Sequence, residues 1–495
     1  MRVFMLGWEF PPFITGGLGT ACHGLTKAMD ARGIEIIFVM PGATDPTASS
    51  HVDLVSPESI GTPAGTQPLI ALDENFEPIA PPPPKPSLTQ TPAAATPPRS
   101  GEEFSAGIEF VHVPINMSHP YDPEAIDTPV GAIGVPQPIA PETARTVLPP
   151  ATPKAAPANA PIRPHQTPPP PADASEPPPP TKSTDYGGDI MTDVRRFAAF
   201  ALQAADTHTF DVIHAHDWMT YPAGLAVARR TGKPLVVHVH STEFDRSGEQ
   251  VNQRVYDIER RGMHGAMRVI TVSRLTRNIV IRRYGVNPDK VTVVYNGVAI
   301  DPIASGVRPI GRREKIVLYF GRITRQKGPE YFIRAAARVL EVQPNVRFIV
   351  AGSGDLYQRC IELAAELGIG QYFLFTGFLR GADIDKIFAM ADLFVMPSVS
   401  EPFGIAPLEA MGHDVPVLIS KSSGASEVIT HALKVDFWDT EAMADKIVAV
   451  LRHPPLGQTL RRHGVIDIRR LTWDDAAGRC EQVYGEVVAA MGSTV

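Results

Sequence analysis

The chain has 495 residues, 43% of them hydrophobic, enough for two or three domains with sizeable cores. Its 46 Lys and Arg against 53 Asp and Glu leave a net charge of −7, which argues against nucleic acid or an anionic membrane as the main partner. Cys22, Cys360 and Cys480 are too few and too scattered for a disulfide framework or a zinc cluster, and a cytoplasmic protein is expected. The opening MRVFMLGWEFPPF lacks a signal-peptide core. No run approaches about 18 uninterrupted apolar residues, so no integral membrane segment is expected.

Arg2 to Leu6 reads as a buried strand. Thr15-Gly16-Gly17-Leu18-Gly19 follows, then a helix with apolar Leu25, Ala28 and Met29, then a second strand from Ile34 to Met40. A glycine-rich loop between strand and helix lets backbone N–H groups approach a diphosphate or sugar, which makes Gly16 and Gly17 candidate donor contacts. Taken alone, the loop reads more simply as a tight turn.

From Ala43 the composition shifts, and more than half of the 50 prolines lie between Pro78 and Pro180. Two Pro-rich segments, about 78–98 and 129–180, cannot bury enough apolar surface to fold and read as loop insertions in the first domain. Between them, IEFVHVPI (Ile108–Ile115) reads as a strand.

Order returns with a helix from about Ile190 to Ala205. DVIHAHDW (Asp211–Trp218) and VVHVHSTEFDRSG (Val236–Gly248) each give a strand with a polar tip. His216, Asp217 and His240 stand at strand ends, where doubly wound sheets place ligands. A zinc site on His214, His216, His238 and His240 is the alternative. Alternation puts i and i+2 on one face, but spacing alone supplies no fourth ligand. A helix over Gln250–His264, a strand over Met267–Ser273, a helix to Tyr284 and the run VTVVYNGV (Val291–Val298) complete a first domain, residues 1–307. Asn296-Gly297 marks a turn.

In residues 308–470, KIVLYFGR, VRFIVAGSG, YFLFTGF, LFVMPS and PVLIS alternate with helical stretches and imply a parallel sheet. GRITRQKGPEYF (Gly321–Phe332) places Arg322 and Lys327 in a loop before a helix, where cations can neutralise a leaving diphosphate. Phe378 and Leu379, past a strand end, are candidate contacts for a nucleotide base. MPSVSEPFGIAPLEAMG (Met396–Gly412) then reads as strand end, turn and helix. Its Phe403, Gly404 and Ile405 can offer N–H groups to phosphate, and Glu401 and Glu409 frame the turn. In isolation this is a helix-start turn with two surface carboxylates.

The Glu401–Glu409 spacing resembles the E-x7-E signature of retaining glycosyltransferases with the GT-B fold, glycogen and starch synthases of families four and five among them. The resemblance covers almost the whole chain outside the Pro-rich middle. The TGGL loop, HAHDW and the GR-x4-KG stretch agree with it, although Ile14 stands where those enzymes carry Lys. It implies an α/β chain of two Rossmann-like domains with parallel sheets facing an inter-domain cleft, and a C-terminal helix, 471–495, crossing back onto the first domain. It also implies transfer of glucose from ADP- or UDP-glucose to an α-glucan. The alternative is a cell-wall, exopolysaccharide or small-molecule acceptor. By resemblance Arg322 and Lys327 hold the donor phosphates, His240 faces the donor glucose, and Asp217 belongs to the HAHDW strand end. Glu401 reaches the transferred sugar and Glu409 the ribose. No metal or other cofactor is expected. A non-catalytic sugar-nucleotide binder is the rival, and the intact set Arg322, Lys327, Glu401 and Glu409 argues against it.

Overall fold

The structure, a computed structural model, describes residues 1–10, 17–41, 52–55, 108–112, 190–299 and 314–492. Ile14, Gly16, both Pro-rich segments and the boundary near residue 308 lie outside the described residues.

Two parallel sheets form the frame. The first contains β1 (Arg2–Leu6), β2 (Glu35–Met40), β3 (Val52–Val55), β4 (Ile108–His112), β5 (Val212–His216), β6 (Leu235–Val239), β7 (Arg268–Thr271) and β8 (Val291–Val293). Their order is β3-β4-β2-β1-β5-β6-β7-β8. The second contains β9 (Lys315–Phe320), β10 (Val346–Ala351), β11 (Phe373–Gly377), β12 (Leu393–Met396), β13 (Val417–Ser420) and β14 (Leu433–Val435), in the order β11-β10-β9-β12-β13-β14. Every strand of β5 and β6 is buried along its whole length, as expected where helices cover both faces of a parallel sheet. The fold is the α/β, doubly Rossmann-like arrangement that the strand–helix alternation implies. The sequence reading missed β3 and β14, which are only four and three residues long.

Helix boundaries follow local chemistry. Ser273 caps the helix Arg274–Tyr284 by accepting from the Thr276 N–H at 3.0 Å, and Gly285 ends it in the left-handed conformation at φ 70°. The helix Ala406–Gly412 is a short one of seven residues, with Pro407 in its first turn, where a missing N–H costs nothing.

The C-terminal helix Trp473–Gly492 buries Ala477, Cys480, Val483, Tyr484 and Val487 in the core of the first domain. Its Trp473 ring lies so close to Gly24 that a Cβ there would meet it at 2.2 Å. Contacts across the domains hold the cleft between them. The Glu427 carboxylate accepts from the N–H groups of Arg274 (2.9 Å) and Leu275 (2.7 Å) and from the Tyr295 hydroxyl (3.0 Å). It therefore sits at the positive end of the Arg274–Tyr284 helix. Ser400 donates to Asp245 at 2.5 Å.

Candidate active site

Both sheets reverse their winding once, between β1 and β5 in the first and between β9 and β12 in the second. Crevices open outside the carboxyl ends of strands at such switch points, because the flanking loops leave on opposite faces. Here the two crevices face each other and form one cleft of about 500 Å³.

The first-domain wall carries Glu9 after β1, Asp217 after β5, His240 after β6 and Asn296 after β8. Asp217 adopts φ 58°, a left-handed conformation that Asp tolerates better than most residues. This turns its carboxylate toward the neighbouring loop, where it accepts from the His240 N–H at 2.7 Å and the Ser241 N–H at 3.3 Å. Burial raises the Asp217 carboxyl to about 7, against the opposing pull of those N–H groups. Burial pushes the His240 imidazole down to about 3, so it is neutral at pH 7. Its Nε2 lies 2.9 Å from His216 Nδ1.

The second-domain wall is built around an ion pair across the switch point. Lys327, after β9, places Nζ 2.5 Å from Glu401 Oε2, after β12. Ser398 donates to the same oxygen at 3.1 Å. The backbone of Glu401 is also fixed, its N–H to the Ser422 carbonyl at 3.0 Å and its carbonyl to the Gly424 N–H at 2.9 Å. Gly404 has φ 96°, and a Cβ there would meet Met396 Cε at 3.0 Å and Glu401 Cγ at 3.1 Å. Glycine thus lets the loop pass close over the carboxylate. Glu409 is half-buried, and burial, then the Asp385 charge, raises its carboxyl to about 7. Phe378 is exposed, with the Arg380 guanidinium 5.2 Å above its ring.

Every site residue expected from the sequence and described by the structure lines this cleft: Gly17, Asp217, His240, Arg322, Lys327, Phe378, Leu379, Glu401, Phe403, Gly404, Ile405 and Glu409. Gly16 lies outside the described residues. His214, His216 and His238 do not line the cleft; they are buried behind His240. Sequence reasoning passed over Glu9, Asn296, Ser353 and Arg380, which line it too. Strand-end position was the available signal for Glu9, and Asn296 read only as half of a turn.

Two Rossmann-like domains with their strand ends turned onto one cleft, closed by cations on one wall and carboxylates on both, define a GT-B glycosyltransferase. The chain belongs to the glycosyltransferases: it is 33% identical over 302 residues to an uncharacterized glycosyltransferase of Methanocaldococcus jannaschii, covering 57% of this chain and 77% of that protein. It is 30% identical over 302 residues to a D-inositol 3-phosphate glycosyltransferase of Mycobacterium sp. (strain KMS), covering 56% and 67%. Residues 304–464 match the model of glycosyl transferases group 1, residues 159–302 that of glycosyltransferase family 4, and residues 2–66 that of the starch synthase catalytic domain. Among solved structures, sucrose-phosphate synthase from Thermosynechococcus elongatus superposes with a TM-score of 0.64 at 17% identity, over 99% of this chain and 100% of that one. Anabaena HepE in complex with UDP and glucose superposes with a TM-score of 0.52 at 24% identity, over 58% and 81%. Both likenesses are of fold.

Proposed function

We propose that the protein is a retaining glycosyltransferase that moves glucose from a nucleotide-glucose donor to an α-glucan. The observation that carries this reading is the Lys327–Glu401 pair across the second switch point, facing Asp217 and His240 on the other wall. The donor's diphosphate lies against Arg322, Lys327 and the loop Phe403–Ile405, and its glucose between Glu401 and His240. Glu409 accepts from the ribose hydroxyls, and Phe378 and Leu379 contact the base. As the bond from C1 to the phosphate oxygen breaks, charge grows on the diphosphate and positive character on the sugar ring. Preorganised cations meet the first and the Glu401 carboxylate the second. The new bond forms from C1 to the acceptor hydroxyl oxygen on the same face, and that hydroxyl's proton passes to the departing phosphate. Nothing in this scheme needs a metal or cofactor in the cleft. The starch-synthase match over residues 2–66 supports the glucan acceptor, and the UDP and glucose complex of HepE supports a nucleotide-sugar donor.

A small-molecule polyol acceptor is the second reading, favoured by the D-inositol 3-phosphate glycosyltransferase at 30% identity. Released nucleotide is measured with ADP- or UDP-glucose and either glycogen or inositol phosphate, and the product anomer is read by NMR. Glycogen-dependent release with an α product is expected. Release that needs inositol phosphate selects the second reading, and a β product refutes retention.

A further inference from the structure

Behind His240, imidazoles stack in the core of the first domain. Alternation puts His214 and His216 of β5 on one face, and the parallel register sets His216 beside His238 of β6. His214 and His216 are 0% exposed and His238 is 1% exposed. Among the described residues, Nε2 of His214, Nε2 of His216 and both ring nitrogens of His238 have no hydrogen-bond partner. One nitrogen from each of the three rings lies within 4.8 Å of the other two. Buried polar groups are almost always satisfied, so such a convergence calls for an electrophile.

We propose that His214, His216 and His238 form a buried three-histidine site for one d10 cation, Zn²⁺ or Cu⁺, that braces the strand ends behind His240. The surroundings supply the arrangement by which metal-bound histidines hold their second nitrogen. His214 Nδ1 lies 2.5 Å from the Tyr484 hydroxyl, which itself reaches Met29 Sδ at 3.9 Å. With a cation on Nε2, His214 carries its proton on Nδ1 and donates to the Tyr484 oxygen, while the Tyr484 hydroxyl turns to the Met29 sulfur. His216 Nδ1 lies 2.9 Å from His240 Nε2, and with a cation on its Nε2 it donates to that nitrogen. Imidazole suits zinc and copper, and d10 cations impose no geometry of their own.

The rings are nearly parallel, 26° between His214 and His216 and 9° between His214 and His238. Loading therefore requires them to tilt until their nitrogens stand about 2.0–2.1 Å from one centre. The sequence expectation of no metal rested on the resemblance and on the want of a fourth ligand; the register between strands shows that His214, His216 and His238 converge. The cation does not touch the cleft. It fixes the His216 tautomer, makes His240 Nε2 an acceptor and leaves the His240 proton on Nδ1.

The test uses the full chain without a histidine tag, dialysed against a chelator and analysed for zinc and copper separately. About one zinc or copper per chain is expected, and His214→Gln/His238→Gln should lose it at least about tenfold with unchanged circular dichroism. Metal below about 0.1 per chain, both as purified and after refolding with either cation, overturns the site, as does full retention in the double variant. Should that variant not fold, the unaltered chain refolded with Co²⁺ decides. Visible bands of a nitrogen-ligated Co²⁺ centre of low coordination number support the site, and a spectrum of aqueous Co²⁺ alone overturns it.

Discussion

Replacing Lys327 by Met removes the charge facing Glu401 and keeps most of the side-chain length. Glu401 keeps Ser398 at 3.1 Å but loses an ion pair at 2.5 Å, with its own side chain only 5% exposed. Breaking a fully buried pair costs about 3–5 kcal/mol, because one charge is stranded out of water. Lys327 is 21% exposed, so solvent takes up part of the loss, and about 1–3 kcal/mol is expected. In a domain of this size each kcal/mol lowers the melting midpoint by about 2–4 °C. Adding Glu401→Gln removes the stranded charge, so the double variant should regain most of the midpoint. Turnover should follow a different rule. On the proposed mechanism both groups stabilise charge that develops in the transition state, so kcat should fall by about 10²-fold or more in each single variant and should not be restored in the double. Calorimetry gives the midpoints and nucleotide release gives kcat. The reasoning fails if K327M melts with the unaltered protein, or if the double variant melts as low as K327M.

Three further outcomes follow from the same wall of the cleft. Burial raises the Glu409 carboxyl from 4.5 to about 7, so its contribution to stability is fully present below its ordinary value and is lost as pH rises through about 7. Glu409→Gln should therefore gain stability relative to the unaltered protein on going from pH 5 to pH 8, and a gap between their denaturation midpoints that does not change with pH contradicts this. In kinetics, the same variant should raise the donor KM with kcat little changed, since the proposed ribose contact would persist in ground and transition states alike. Gly404→Ala forces a side chain into a left-handed position and against Met396 and Glu401, which should cost about 1–3 kcal/mol and move the carboxylate. Unfolding in urea together with kcat checks it; normal values for both would show that the loop has room.

The sequence by itself determined the alternation of apolar runs with helical stretches, and hence two parallel sheets, because a strand covered on both faces must be apolar throughout. It also determined that Asp217, His240, Arg322, Lys327 and Glu401 follow strand ends, and the resemblance to GT-B glycosyltransferases made them legible as a set with Glu409 of the next helix. Very short strands such as β14 were not, since three residues carry no periodicity. Tertiary structure alone decided partnership. Lys327 and Glu401 are 74 residues apart and meet because β9 and β12 are neighbours on either side of the switch point. Glu9 joins the cleft through the same geometry, and Tyr484 reaches His214 only because the last helix packs against the first domain. The buried imidazoles make the point most sharply. Period-two alternation shows which two of them share a strand face, but only the register of β5 against β6 brings the third within reach, and register is set by the packing of whole sheets rather than by any local pattern.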